Sequence, residues 1–338
     1  MTTNLDTAQL AAILKEWLGV DSTSGEEREF LEHLEAFFAD DGWTIQRQEV
    51  APNRWNLLVG DGTPAKVLFS THVDTVPPFL PVRQEDNTVY GRGACDTKGG
   101  LVAMWAAARR LKNRGVEGIG FLLVVGEEVD HCGAKIARQL DVQPTRIILC
   151  EPTQNRVVRA QRGMIRFALR TTGVAGHSAF PNDGTSAIHR LLDGIERLRQ
   201  TTWPTDDILG ETTINVGVIE GGVAANIFAP TARAELLFRA VSPVEPMIER
   251  VEELLGDEIE IEDIIYNDPV FFDAPDDLES CTVPFNTDAT YLAELGPVWL
   301  VGPGDIRCAH SDDERIDLNE LQTGIDLYET LASRALKA

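Results

Sequence analysis

The residues best suited to holding cations in this chain are His72 with Asp74, the adjacent glutamates Glu127 and Glu128, and Glu151. Each group stands at the end of an apolar run: VLFST leads into His72, FLLVVG into Glu127, and IILC into Glu151. In an open parallel sheet, ligands gather outside the carboxyl ends of the strands, so three such ends bring these residues to one crevice. Asp96 in GRGACDTKGG and His310 in GPGDIRCAHSDDE complete the set. Imidazole and carboxylate are the usual zinc ligands of hydrolytic sites, and a paired site spaces its ions about 3.5–4 Å apart with a carboxylate and a water between them. Three carboxylates against two divalent cations leave one positive charge, which a bridging hydroxide cancels. Glu127 is not needed as a ligand, and its place beside Glu128 suits it to take a proton from water and return it to a leaving nitrogen. Asp74 has two readings: a partner that fixes the His72 tautomer, or a turn residue before Pro77 and Pro78.

Positioning these groups requires a sheet with helices on both faces. Apolar residues recur at helical spacing over 7–19 and 24–40, where Ser24 and Glu27 suggest a capping box, and over 97–113, 132–139 and 318–335. Strand-like runs cover 43–50, 55–59, 66–71, 119–125, 146–150 and 298–301, several of them continuously apolar, as in strands buried on both faces. From about Val157 the pattern changes to alternating strands at 164–170, 212–218 and 231–239, with helices at 185–200 and 243–255. The expectation is an α/β fold with a mostly parallel sheet flanked by helices, residues 1–156 and 266–338 forming a catalytic domain. Residues 157–265 form an inserted α+β module.

With 338 residues, the chain suits two domains. Its formal charge of -24 argues against nucleic acid and anionic membrane as partners, both of which demand a basic surface. The five cysteines stand singly, without a CxxC pair, and read as reduced core residues. The opening residues lack a basic stretch followed by an apolar one, so a cytoplasmic location is expected. A serine nucleophile would need GxSxG, and Ser178 in AGHSAFP lacks the second glycine. GRGACDTKGG has neither phosphate-loop spacing, and Asp96 would repel phosphate.

THVDTVP, GRGACDTKGG, GEEVDHCGA, CEPT and AHSDDE, in this order, resemble the co-catalytic zinc family of acetylornithine deacetylase, succinyl-diaminopimelate desuccinylase, aminoacylase and glutamate carboxypeptidase. The resemblance covers nearly the whole chain. It implies that His72 and Glu151 hold one zinc and Glu128 and His310 the other, with Asp96 as the bridge and Glu127 as the base. Cobalt or manganese could substitute. It also implies that the inserted module is a dimerisation domain and that the chain is a homodimer, with His177 of TGVAGHSAFP reaching the partner's active site. By itself His177 reads better as a partly buried loop histidine bonded to backbone. Asn226 and Arg239 match positions that contact the substrate and its carboxylate in relatives, although Arg239 alone is only a strand-end arginine. Glutamate at position 151 favours a deacylase acting on a small N-acyl amino acid, and VGPGDIRCAHSDDE is most similar to acetylornithine and acetylcitrulline deacetylases. PVRQEDNTVYGRGACDTKG is also similar to carboxypeptidases acting on carrier-linked lysine or ornithine. One departure lies at 285–289, where relatives often have glycine before Thr-Asp-Ala and this chain has Asn286.

Overall fold

Every residue of the strands Val67–His72 and Ile119–Val124 is buried, as continuous apolar runs covered on both faces require. The computed structural model describes residues 5–180 and 182–337. Both strands belong to a six-stranded sheet in the order Thr44–Ala51, Arg54–Gly60, Ile119–Val124, Val67–His72, Arg146–Leu149, Val298–Leu300. Its last four strands pair in parallel, and the first two join antiparallel at one edge. Four helices supply the packing: Thr7–Leu18, Arg28–Asp40, Lys98–Asn113 and Leu318–Ala335. Their apolar faces merge with the sheet in one core, where Trp17, Phe30, Phe37, Phe38, Trp43, Trp105 and Phe121 form a continuous run of ring contacts, edge-on except for the tilted pair Phe38–Phe121. A fully buried ring such as Phe30, Phe38 or Phe121 contributes about 1.5–3 kcal/mol by burial alone. Fully buried Tyr328 donates its hydroxyl proton to the Val301 carbonyl at 2.9 Å, so the closing helix is tied to the end of the last strand.

The chain divides into two compact units, 1–159 with 272–281 and 287–338, and 160–271 with 282–286. These bounds differ from the sequence expectation of 157–265 because Ala160 and Gln161 pair with Phe271 and Val270, which keeps 266–271 with the second unit. Within that unit an antiparallel sheet runs Thr213–Gly221, Thr231–Ala240, Gly163–Thr172, Glu260–Asn267, with helices Ala187–Gln200 and Val244–Leu255. Thr231–Ala240 alternates between buried and more exposed positions, as a sheet with a single packed face requires. Ile165, Phe167, Leu191, Leu198, Phe238 and Val251 fill the core below it.

The expected capping box at Ser24 and Glu27 does not form. The helix begins at Arg28 with no side-chain cap, because Glu27 is fully buried in a bidentate pair with Arg54, at 2.8 and 2.5 Å. Ser24 gives its hydroxyl proton to Asp74 at 2.7 Å instead. Among the described residues no helix is long and apolar enough to cross a membrane.

Candidate metal centre

His72 closes the strand Val67–His72, Glu127 and Glu128 follow Ile119–Val124, and Glu151 follows Arg146–Leu149. Three neighbouring strand ends thus deliver them to the same end of the sheet. Asp96 comes from the turn before the helix Lys98–Asn113. That turn is held from behind by Glu314, which is fully buried and accepts the backbone N–H groups of Gly93, Cys95 and Asp96 at 2.9, 3.2 and 3.1 Å on one oxygen. Its other oxygen takes the Arg92 guanidinium at 2.6 Å. A small sheet of Arg315–Asp317, Thr88–Tyr90 and Arg83–Glu85 joins the two segments and brings His310 toward Asp96. Gly100 allows the helix its place, since a Cβ there would lie 2.0 Å from the Cys150 sulfur.

Asp96 lies between the two imidazoles. Its Oδ1 is 3.1 Å from His72 Nε2 and its Oδ2 is 3.4 Å from His310 Nε2. His310 Nε2 also lies 3.0 and 3.2 Å from the two oxygens of Glu128. His72, Asp96 and Glu128 offer ligand atoms all within 4.8 Å of one another. The structure therefore brings together His72, Asp96, Glu128 and His310 directly, and Glu151 faces the same charges.

Asp74 meets His72 through its backbone carbonyl and not through its carboxylate. The His72 Nδ1–H donates to the backbone carbonyl of Asp74 at 2.8 Å, whereas the nearest carboxylate oxygen is 3.7 Å away. A carbonyl can only accept, so Nδ1 carries a proton, and Nε2, which faces Asp96, carries another while it donates to that carboxylate in the metal-free protein. The Asp74 carboxylate accepts the backbone N–H of Glu127 and Glu128, at 3.1 and 3.3 Å, and so fixes the turn that carries them.

Charge in this cluster is unbalanced. Burial and the neighbouring Asp96 carboxylate push the carboxyls of Glu128 and Glu151 up, Glu151 well above the usual range. Burial acts the same way on Asp96, but hydrogen bonds from His310 and His72 outweigh it and hold that carboxyl low. Asp96 and Glu128 raise His310 to about 10. Glu151 Oε1 is buried with no hydrogen-bond partner among the described residues. An orphaned buried carboxylate oxygen amid an excess of acid fits a set of cation ligands, since buried charge needs pairing or a metal.

Metal-free protein should therefore hold a proton on His310 throughout the neutral range. A cation must displace it, so affinity should rise with pH up to about 10, and zinc binding near neutrality should release about one proton from that ring. Calorimetry in buffers of different ionisation enthalpy checks this, and equal heats in all buffers would contradict it.

Sequence reasoning missed a second cluster. Glu127 lies 3.7 Å from His131 Nδ1, which donates to Asp288 at 2.9 Å. Burial pushes Glu127 up to about 8, against the pull of the His131 and His72 rings. Both missed residues stood inside the segments GEEVDHCGA and Thr-Asp-Ala, but nothing in their spacing signals that they meet. In the second unit, His177 and Asn226 lie on paired loops, with the Ser178 N–H donating to the Asn226 carbonyl at 3.0 Å. Arg239 lies opposite Met164 in the sheet, and burial and the like charge of Arg162 lower its pKa.

Residues 68–334 match peptidase family M20/M25/M40. The chain belongs to this family. A peptidase M20 domain-containing protein of Schizosaccharomyces pombe is 34% identical over 341 residues, covering 97% of this chain and 85% of that protein. A probable carboxypeptidase of Aspergillus terreus is 30% identical, with 94% of this chain and 84% of its own length aligned. Among solved structures, a tripeptidase from Staphylococcus aureus superposes with a TM-score of 0.84 at 20% identity, covering 98% of this chain and 100% of that one. The aminopeptidase PepT from Bacillus cereus gives 0.82 at 21%, with 99% and 100% covered. The fold is that of family M20, and the chain is a hydrolase of the peptidase and amidohydrolase kind.

Proposed function

We propose that this M20 hydrolase releases an amino acid from an N-acyl precursor at two zinc ions, with N-acetylornithine the leading substrate. The observation that carries this reading is Asp96 presenting one oxygen to each of His72 and His310, the disposition of a bridging carboxylate. His72 and Glu151 would hold one ion and Glu128 and His310 the other. Bound there, the pair would polarise the scissile carbonyl and lower the pKa of the attacking water. The Asp74 carbonyl keeps His72 in the tautomer that leaves Nε2 for a ligand's role. Glu127 takes the proton of the water and hands it to the leaving nitrogen. Arg239 is half-buried with no acceptor among the described residues, which suits it to the carboxylate of the released amino acid. Asn226 contacts the rest of that substrate.

A carboxypeptidase is the second reading. It is favoured by the name of the Aspergillus relative, and it also needs a C-terminal carboxylate for Arg239. The two readings differ in what precedes the scissile bond. Amine release should be followed with N-acetylornithine, N-acetylcitrulline, N-succinyl-diaminopimelate and γ-glutamyl-lysine peptides under added zinc or cobalt. N-acetylornithine as the clear winner supports the first reading and a peptide winner the second. No turnover of any would contradict both.

His177 would stabilise the oxyanion in the active site of a second copy. The strand Thr213–Gly221 supports a homodimer, because it is a sheet edge with Val218 and Ile219 exposed. Glu127→Gln and His177→Ala should each give an inactive dimer. Well-mixed, they should recover roughly a quarter of wild-type activity, since half the dimers are mixed and one site in each is whole. No recovery would place His177 outside the partner's chemistry.

A further inference from the structure

We propose that His131, anchored by Asp288, is a positioning residue that sets the orientation of the Glu127 carboxylate for proton transfer. The inference rests on the assignment of Glu127 as the base. No hydrogen bond to the Glu127 carboxylate comes from the described residues; His131 Nδ1, at 3.7 Å, is the ring beside it. A base must keep its lone pairs open for water, yet a free carboxylate turns about its last torsion. A ring at that distance limits the turning without occupying the lone pairs, because 3.7 Å is too long for a hydrogen bond.

The ring is itself fixed from several sides. Asp288 is 1% exposed, and its Oδ1 accepts the Nδ1–H at 2.9 Å. Tyr291 stands against the imidazole with ring centroids 5.4 Å apart. The backbone of His131 is left-handed, with φ 57°, a region in which histidine, like asparagine and aspartate, is found more often than most residues that carry a Cβ. Its N–H bonds to the Gly126 carbonyl at 2.7 Å, which closes the turn around Glu127 and brings the imidazole back beside that carboxylate. The left-handed turn thus places the His131 side chain next to the base.

Glu127, His131 and Asp288 could also hold a cation by residue type, since their ligand atoms lie within 4.8 Å of one another. The Nδ1–H is already given to Asp288, however, so this nitrogen has no lone pair to offer a metal. Burial opposes a charge on the ring, but the hydrogen bond and the charge of Asp288 prevail and raise its pKa, which favours the protonated, donating form.

The test compares wild type with His131→Ala, His131→Asn and Glu127→Gln in the zinc-loaded enzyme, reading kcat, KM, thermal midpoint and metal content. Asparagine accepts the left-handed backbone and places an N–H donor where Nδ1 stood. His131→Ala should lower kcat roughly 10- to 100-fold, with KM within about twofold and metal content unchanged. His131→Asn should restore most of the loss. Unchanged kcat in His131→Ala beside an inactive Glu127→Gln would overturn the proposal and leave the base assignment standing. Turnover retained by Glu127→Gln would overturn both. Loss of an ion in His131→Ala, or a thermal midpoint that falls in step with kcat in both His131 variants, would assign the residue to metal binding or to folding.

Discussion

Glu127→Gln should lower kcat by roughly 10²–10⁴-fold and leave the metal content at about two ions per chain. The amide keeps the size and polarity of the side chain but cannot accept a proton from water, so the loss should fall on turnover while KM stays near the wild-type value. The backbone should tolerate the change. The position of Glu127 is fixed through its N–H, which donates to Asp74, and not through its carboxylate. Removing a buried carboxyl that burial has already pushed up to about 8 should also leave the fold as stable or slightly more so. Kinetics with elemental analysis check this outcome, and loss of an ion would make Glu127 a ligand and undo its assignment as base.

Asp96→Ala should abolish turnover and lower zinc affinity at both positions by roughly 100-fold or more. Partners that only support a ligand are worth about 10–100-fold in affinity, and a carboxylate shared by two ions should cost more than either such partner. The geometry gives the reason for a joint effect, since one oxygen faces His72 and the other His310. His310→Ala should behave differently, losing one ion and keeping the one between His72 and Glu151. Asp96→Ala that still binds two equivalents of zinc at wild-type affinity would show that Asp96 is no bridge.

The convergence of the proposed cation ligands was legible because their positions follow from two simple rules. Continuous apolar runs mark strands of a sheet covered on both faces, and the carboxyl ends of such strands converge. His72, Glu128 and Glu151 needed nothing more. What stayed hidden depends on contacts between distant segments that have no periodicity. Glu314 reads as one acid among several in AHSDDE, yet it closes the turn that carries Asp96. The strands that bring it there, Thr88–Tyr90 and Arg315–Asp317, have three residues each, too few to show a pattern. Asp74 reads from sequence as a partner of His72 or as a turn residue, and sequence cannot show that its carbonyl and carboxylate serve different groups. Ser24 and Glu27 had the spacing of a cap and were claimed by Asp74 and Arg54, whose tertiary bonds outweigh a local preference. His131 and Asp288 are 157 residues apart, and only folding reveals their pairing.

In the proposed centre, His72, Asp96, Glu128, Glu151 and His310 form one paired metal site. Anomalous diffraction at the zinc edge, from crystals grown with about two equivalents of zinc, tests it most directly. Two peaks about 3.5–4 Å apart should appear, one beside His72 and Glu151, the other beside Glu128 and His310, with the Asp96 carboxylate between them. A single peak, or peaks away from Asp96, would contradict a paired site bridged by that residue.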